Sequence, residues 1–123
     1  MIHKTVVAGR AVIEFTLFQI GEDLLLVIAG GQTPHIGAVT LSLPRKSLTD
    51  DGSTSSSTSV LAVPAHKDDE IARSVSAHIS SRLNRNVVVA CGIHIDHASS
   101  GEIERIIGAV DTVIAEIIGT IGS

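Results

Sequence analysis

Aromatic side chains are nearly missing: there is no Trp or Tyr, and Phe15 and Phe18 are the two phenylalanines. The core must therefore be aliphatic, and a stacking platform for single-stranded nucleic acid is excluded. Basic residues are scarce as well. Nine Lys and Arg against thirteen Asp and Glu leave a formal charge of −4, the wrong sign for neutralising a phosphate backbone, so no nucleic-acid partner is expected. The single cysteine, Cys91, rules out an intrachain disulfide and a multi-cysteine zinc site. No run approaches about 18 uninterrupted apolar residues, and no N-terminal stretch has the form of a signal peptide. The expectation is a soluble, cytoplasmic protein with no membrane partner.

What is present suits one ordinary domain spanning residues 1–123, with enough Ile, Val, Leu and Ala for a core. Val6 to Ile20 reads as one long strand, because Ile13, Phe15 and Leu17 alternate with Glu14 and Thr16. Gly21-Glu22-Asp23 is a turn, and the apolar run Leu24 to Ala29 is a central strand, so the pair forms a hairpin. Gly30 to Gly37 is a glycine-rich loop leading into a third strand, Ile36 to Leu43. Pro44 to Ser59 contains DDGSTSSSTS, too poor in apolar residues to pack, and is expected to be a mobile loop before a short strand, Ser59 to Pro64. A helix opens at His66-Lys67-Asp68-Asp69-Glu70, with its acidic residues where the macrodipole favours them. Ile71, Val75, His78, Ile79 and Leu83 form its stripe, with His78 a packed or capping residue at the edge. Ser100 to Ile121 is a second amphipathic helix. The order β-β-β-β-α-β-α predicts a two-layer α+β domain: a mixed sheet of about five strands with both helices on one face.

Val87 to Glu102, VVVACGIHIDHASSGE, is the stretch where function is expected. Val87, Val89, Cys91, Ile93 and Ile95 share one strand face. Ala90, Gly92, His94 and Asp96 share the other, two small residues and then two polar ones about 6.5–7 Å apart. Small residues predict room above the sheet for a ligand or another chain. Ser99 or Ser100 caps the following helix, whose N-terminal amides suit an anion. The glycines at Gly30, Gly31 and Gly37 likewise allow backbone amides to approach a phosphate. The plain alternatives are a hairpin connection and a His94–Asp96 hydrogen bond at a solvated strand end.

Three motifs carry a resemblance: Pro34-His35-Ile36-Gly37-Ala38-Val39, His66-Lys67-Asp68-Asp69-Glu70-Ile71-Ala72-Arg73 and Gly92-Ile93-His94-Ile95-Asp96-His97. Together they resemble the prenylated-flavin chaperones, the small accessory proteins of the gallate decarboxylase type. The resemblance implies a non-catalytic accessory protein. It would bind prenylated FMN between the flavin prenyltransferase that makes it and the prenylated-flavin-dependent decarboxylase that uses it. By motif it makes His35, His66, His94, Asp96 and His97 ligand- or metal-contacting candidates. Gly30, Gly31, His35, Gly37, His66, Gly92, His94, Asp96 and Ser99 form the expected cofactor site, with His94, Asp96 and His97 as a set for a divalent metal. His35, His66 and His94 are expected to converge at one sheet edge. A metal-dependent enzyme built on the same cluster, and an assembly chaperone with no small ligand, are the competing readings; a homodimer is expected.

Overall fold

Gly9 and Arg10 divide the long first strand in two. In the computed structural model, which describes residues 1–49, 51–63 and 68–122, the sheet begins with β1 (Ile2–Ala8) and β2 (Ala11–Ile20). Ala8 pairs with Ala11, leaving a two-residue hairpin loop whose first residue, Gly9, has φ 61°. That positive φ matches the twist of a tight hairpin and is open to glycine at little cost. Gly21, also at φ 61°, turns β2 into β3 (Asp23–Gly31) in the same way, with Ile20 opposite Asp23. The remaining elements are β4 (Ala38–Lys46), β5 (Thr54–Ala62), α1 (Asp68–Leu83), β6 (Val87–His94) and α2 (Ser100–Ile121).

The sheet therefore has six strands, in the order β1-β2-β3-β6-β4-β5. β6 enters between β3, to which it is parallel, and β4, to which it is antiparallel. Every other pairing is antiparallel. α1 packs over β4, β5 and β6, and α2 lies against α1 and β1. The buried sheet face reads directly from the alternation: Ile13, Phe15 and Leu17 on β2, Leu24, Leu26 and Ile28 on β3, Val87, Val89 and Cys91 on β6. α2 closes this layer with Ile106, Val110, Val113, Ile114, Ile117 and Ile118, each worth about 1.5–3 kcal/mol when fully buried.

Two expectations fail in instructive ways. Ser53 to Ser59 is not a loop: Thr54 onward is β5, paired with β4 from Lys46–Thr54 to Ala38–Ala62. Its hydroxyls supply the packing that apolar groups would supply elsewhere. Ser42 Oγ, fully buried, lies 2.7 Å from Thr58 Oγ1 and 2.8 Å from Ser76 Oγ on α1. Thr40 Oγ1 lies 2.9 Å from the same Ser76 Oγ and 3.1 Å from Ala72 O. Ser56 Oγ donates to Ala77 O at 3.2 Å. α1 thus rests on β4 and β5 through a satisfied hydroxyl cluster. Its buried row is Ala72, Val75, Ser76, Ile79 and Ser80, and His78, expected near the packed stripe, is exposed.

Candidate functional site

Because β6 lies between β3 and β4, the connection from β3 to β4 must cross the C-terminal end of β6. Residues 32–37 make that crossing and are tied down on the way. Gln32 N donates to His94 O at 2.7 Å and Gly37 N to Cys91 O at 2.9 Å. Gln32 Oε1 accepts from Asp96 N at 2.6 Å.

The glycines of the expected cofactor site are packed against the chain itself. A side chain at Gly92 would collide with the His35 carbonyl, and one at Gly37 with the Asp68 carboxylate. Gly31, at φ 79°, lies against the His94 carbonyl, and Gly30 against the β2 backbone at Val12 and Ile13. Gly92 is small because the chain's own backbone passes over it, so a larger residue there strains the fold before it touches any ligand.

The crossing places His35 beside His94, ring centroids 6.4 Å apart and edge to face at 78°. Of the three histidines expected to converge, these two do; His66 lies outside the described residues. β3, β5 and β6 run parallel to one another, so their C-terminal ends share one edge, where open sheets place ligands. The two rings are held differently. His94 Nε2 lies 2.8 Å from Asp96 Oδ1, both side chains well exposed. His35 is more enclosed: Nδ1 lies 2.9 Å from Thr33 O, and Nε2 lies 3.1 Å from Oδ2 of Asp68. The Thr33 carbonyl can only accept, so Nδ1 donates to it and Nε2 faces the Asp68 carboxylate.

Asp68 is the residue that the sequence conceals. An aspartate in the first turn of a helix reads as a solvated group favoured by the dipole. Here its side chain is 4% exposed, and its Oδ1 accepts from Ile93 N at 3.0 Å. It joins the start of α1, the crossing loop and the end of β6 at one point.

The far side of the edge is built by Arg10, in the β1–β2 turn. Its guanidinium holds Glu102 at 2.7 and 3.0 Å and donates to Asp96 O at 3.0 Å. The hydrogen bond from Arg10, aided by the Ser99 amide, lowers the Glu102 carboxyl to about 2. Ser99 is the N-cap of α2: its Oγ accepts from Glu102 N and its own N–H donates to Glu102 Oε1. The pattern Ser-x-x-Glu at 99–102 could have announced this capping box. The Ser99 hydroxyl is therefore engaged by the helix, leaving the amides of Ser100 and Gly101 as the N-terminal donors.

Cys91 is buried in β6, and burial, reinforced by the Asp68 charge, pushes its thiol up to about 12, which makes it no nucleophile. Among the described residues no three His, Cys, Asp or Glu side chains are gathered as a metal centre requires. His94 and Asp96 meet; His97, exposed at φ 51°, forms no such group with them. Among the described residues no helix is long and apolar enough to cross a membrane. An apolar cavity of about 240 Å³, lined by Ile71, Val75, Ile103, Ile107 and Val110, opens between the two helices and away from the histidines.

Known proteins match this chain along most of its length. The prenylated flavin chaperone LpdD-like domain matches residues 7–122. Protein LpdD of Lactiplantibacillus plantarum is 31% identical over 104 residues, which cover 80% of this chain and 69% of that protein. A solved chain from a chaperone complex for yeast 20S proteasome assembly superposes with a TM-score of 0.59 at 16% identity, covering 94% of this chain and 92% of that one. That last likeness establishes the fold alone. The family match runs from the last two residues of β1 through α2, and the chain belongs to the LpdD-like family of prenylated flavin chaperones.

Proposed function

We propose that this protein binds prenylated FMN and carries it from the flavin prenyltransferase to a prenylated-flavin-dependent decarboxylase, without catalysing a reaction itself. The observation that carries this reading is membership of the LpdD-like chaperone family across residues 7–122. The side chains at the C-terminal edge of β3 and β6 suit such a guest. A flavin nucleotide needs polar partners for its ring edge, an apolar surface for its ring face and donors for its phosphate. His94, which commits Nε2 to Asp96, offers the polar contact with His35 behind it. Val27, Ala90 and Val39, adjacent across three strands, offer an aliphatic surface in place of an aromatic one. The first-turn amides of α2 at Ser100 and Gly101 are the phosphate donors. Gly92 and Gly37 line this edge without touching the guest, because the chain itself fills the space beside them.

Titration of the purified protein with prenylated FMN and with plain FMN, followed by flavin fluorescence, tests the reading. Saturable binding of prenylated FMN is expected, and His94→Ala should weaken it about three- to tenfold, the worth of one hydrogen bond. Absence of binding to either flavin would remove the cofactor from the reading and leave the protein partner alone. We also infer that the protein works as a homodimer, since the sheet face opposite the helices has no cover among the described residues.

A further inference from the structure

We propose that the groove between α1 and α2 docks an amphipathic helix of a partner protein, apolar on the face it inserts and flanked by lysine or arginine. The inference goes beyond flavin binding and stands whether or not the chain holds a flavin. The cavity of about 240 Å³ between the helices has Ile71 and Val75 on one wall and Ile103, Ile107 and Val110 on the other. Val75 and Val110 are buried, while Ile103 and Ile107 are 37% and 42% exposed. Past Val75 the hollow continues along the helices to His78 and Ile114. It is therefore a groove. It follows α1 from Glu70 to His78 and α2 from Ile103 to Ile114, about 12 and 16 Å at about 1.5 Å per residue. One partner helix, inserting apolar side chains at i, i+3 or i+4 and i+7, suits a groove of that length. Small-molecule pockets enclose most of their ligand, and Ile103 and Ile107, open to water on one side, do not enclose one.

Charge selects the occupant. Glu70 and Asp111 line the groove, one from each helix, and among the described residues no lysine or arginine lines it. Neither carboxylate has an ion-pair partner among the described residues. Arg73 lines an adjoining hollow on α1, with Asp69, Glu70 and Ala77. Two unpaired carboxylates beside an apolar floor complement an apolar helix stripe with a basic residue on either side. A second copy does not supply that helix. α1 carries Asp68, Asp69 and Glu70 against Arg73 and Arg82, and α2 carries Glu102, Glu104, Asp111 and Glu116 against Arg105. Groove against groove would also set Glu70 and Asp111 facing like charges, which disfavours pairing. The occupant is therefore a different protein, and the formal charge of −4 adds to its attraction for a basic segment.

Fluorescence anisotropy on the full chain tests the assignment. The probe is a fluorescein-labelled peptide of about 14 residues, four helical turns, with leucines at i, i+3, i+4 and i+7 and lysines on either side. Its twin has glutamates in place of the lysines. The lysine peptide should bind at about 100 μM or tighter, and the glutamate twin about tenfold more weakly or worse. Ile107→Lys, which puts a cation on the groove wall, should weaken the lysine peptide about tenfold or more. Thr112→Lys adds the same charge at an exposed position outside the groove and should leave the affinity within about twofold. If circular dichroism shows that Ile107→Lys fails to fold, Asp111→Asn carries the test, with an expected loss of about threefold. No binding of the lysine peptide, or equal losses in Ile107→Lys and Thr112→Lys, overturns the docking site. Displacement of the bound peptide by millimolar hexylamine would give the groove to a small amphiphilic amine. Loss of self-association in Ile107→Lys, read by sedimentation velocity, would give it to a second copy. Either of these two results overturns the partner helix.

Discussion

The pairing of Asp68 with His35 decides what a histidine variant can reveal. His94 and His35 sit side by side, yet only His35 is a partner of a carboxylate nearly removed from water. Taking one partner from a buried ionised group leaves its desolvation uncompensated, at about 3–5 kcal/mol when the charge stays fully buried. Asp68 keeps its bond from Ile93 N, so the lower part of that range is expected. His35→Ala should therefore lower the unfolding free energy by about 3 kcal/mol in urea titration. His94→Ala, which frees an exposed Asp96, should change it by less than about 0.5 kcal/mol. Equal losses in the two variants would show that Asp68 is held by its helix and not by the imidazole.

Glu102 gives a second residue-level outcome, with a defined pH window. Its carboxyl falls from 4.5 to about 2 in the folded chain, chiefly through Arg10. A carboxyl whose folded value is depressed stabilises the fold above its unfolded value and loses that contribution as the pH drops toward its folded value. The Arg10–Glu102 pairing therefore contributes fully above about pH 4.5, and the contribution disappears between there and about pH 2. Glu102→Gln keeps the capping geometry and removes the charge. The variant should melt below the wild type at pH 6, and the gap should close as the pH approaches 2. A gap that is constant with pH would assign the role of Glu102 to capping alone.

Among the elements, β5 shows most clearly what sequence pattern omits. Hydrophobic periodicity identifies strands that bury apolar side chains, and it located β2, β3, β6 and both helices here. TSSSTS gives no such signal, because its contribution to packing consists of hydroxyls whose partners, Ser42, Arg45 and Ala77 O, lie elsewhere in the chain. The same limit hid Asp68, whose burial comes from contact with β6 25 residues away. It also hid the passage of residues 32–37 over Gly92, since the insertion of β6 between β3 and β4 is a fact of topology. The convergence of His35 with His94 was legible, because both stand at the ends of neighbouring parallel strands. A polar edge strand also has a physical use: it resists pairing with other chains where a sheet would otherwise offer a free edge. Replacing 53–59 by a short Gly-Ser turn should therefore lower the melting temperature by ten degrees or more, since several hydroxyl contacts worth about 1 kcal/mol each go with it. An unchanged melting temperature would mean that α1 holds to β4 without β5.

At the scale of the molecule, the strand order makes β6 the member on which the rest depends. It bonds β3 on one side and β4 on the other, carries Val87, Val89 and Cys91 in the core, and lies under α1. Neither β-hairpin array can close the sheet without it, so it cannot open locally; exposing it requires separating the two halves. Cys91, the chain's one thiol, is 1% exposed at the middle of this strand, and burial raises it to about 12. In the folded chain it is therefore both inaccessible and protonated at neutral pH, and it reacts only through opening. Labelling with Ellman's reagent across a urea series should coincide with the loss of circular dichroism, and the free energy of exposure should equal that of global unfolding. Ligand or dimer formation, acting on the folded state alone, should then slow the labelling in proportion to its own binding energy. Labelling that runs ahead of the global transition would show that β6 leaves the sheet on its own, and that the two halves stand without the strand inserted between them.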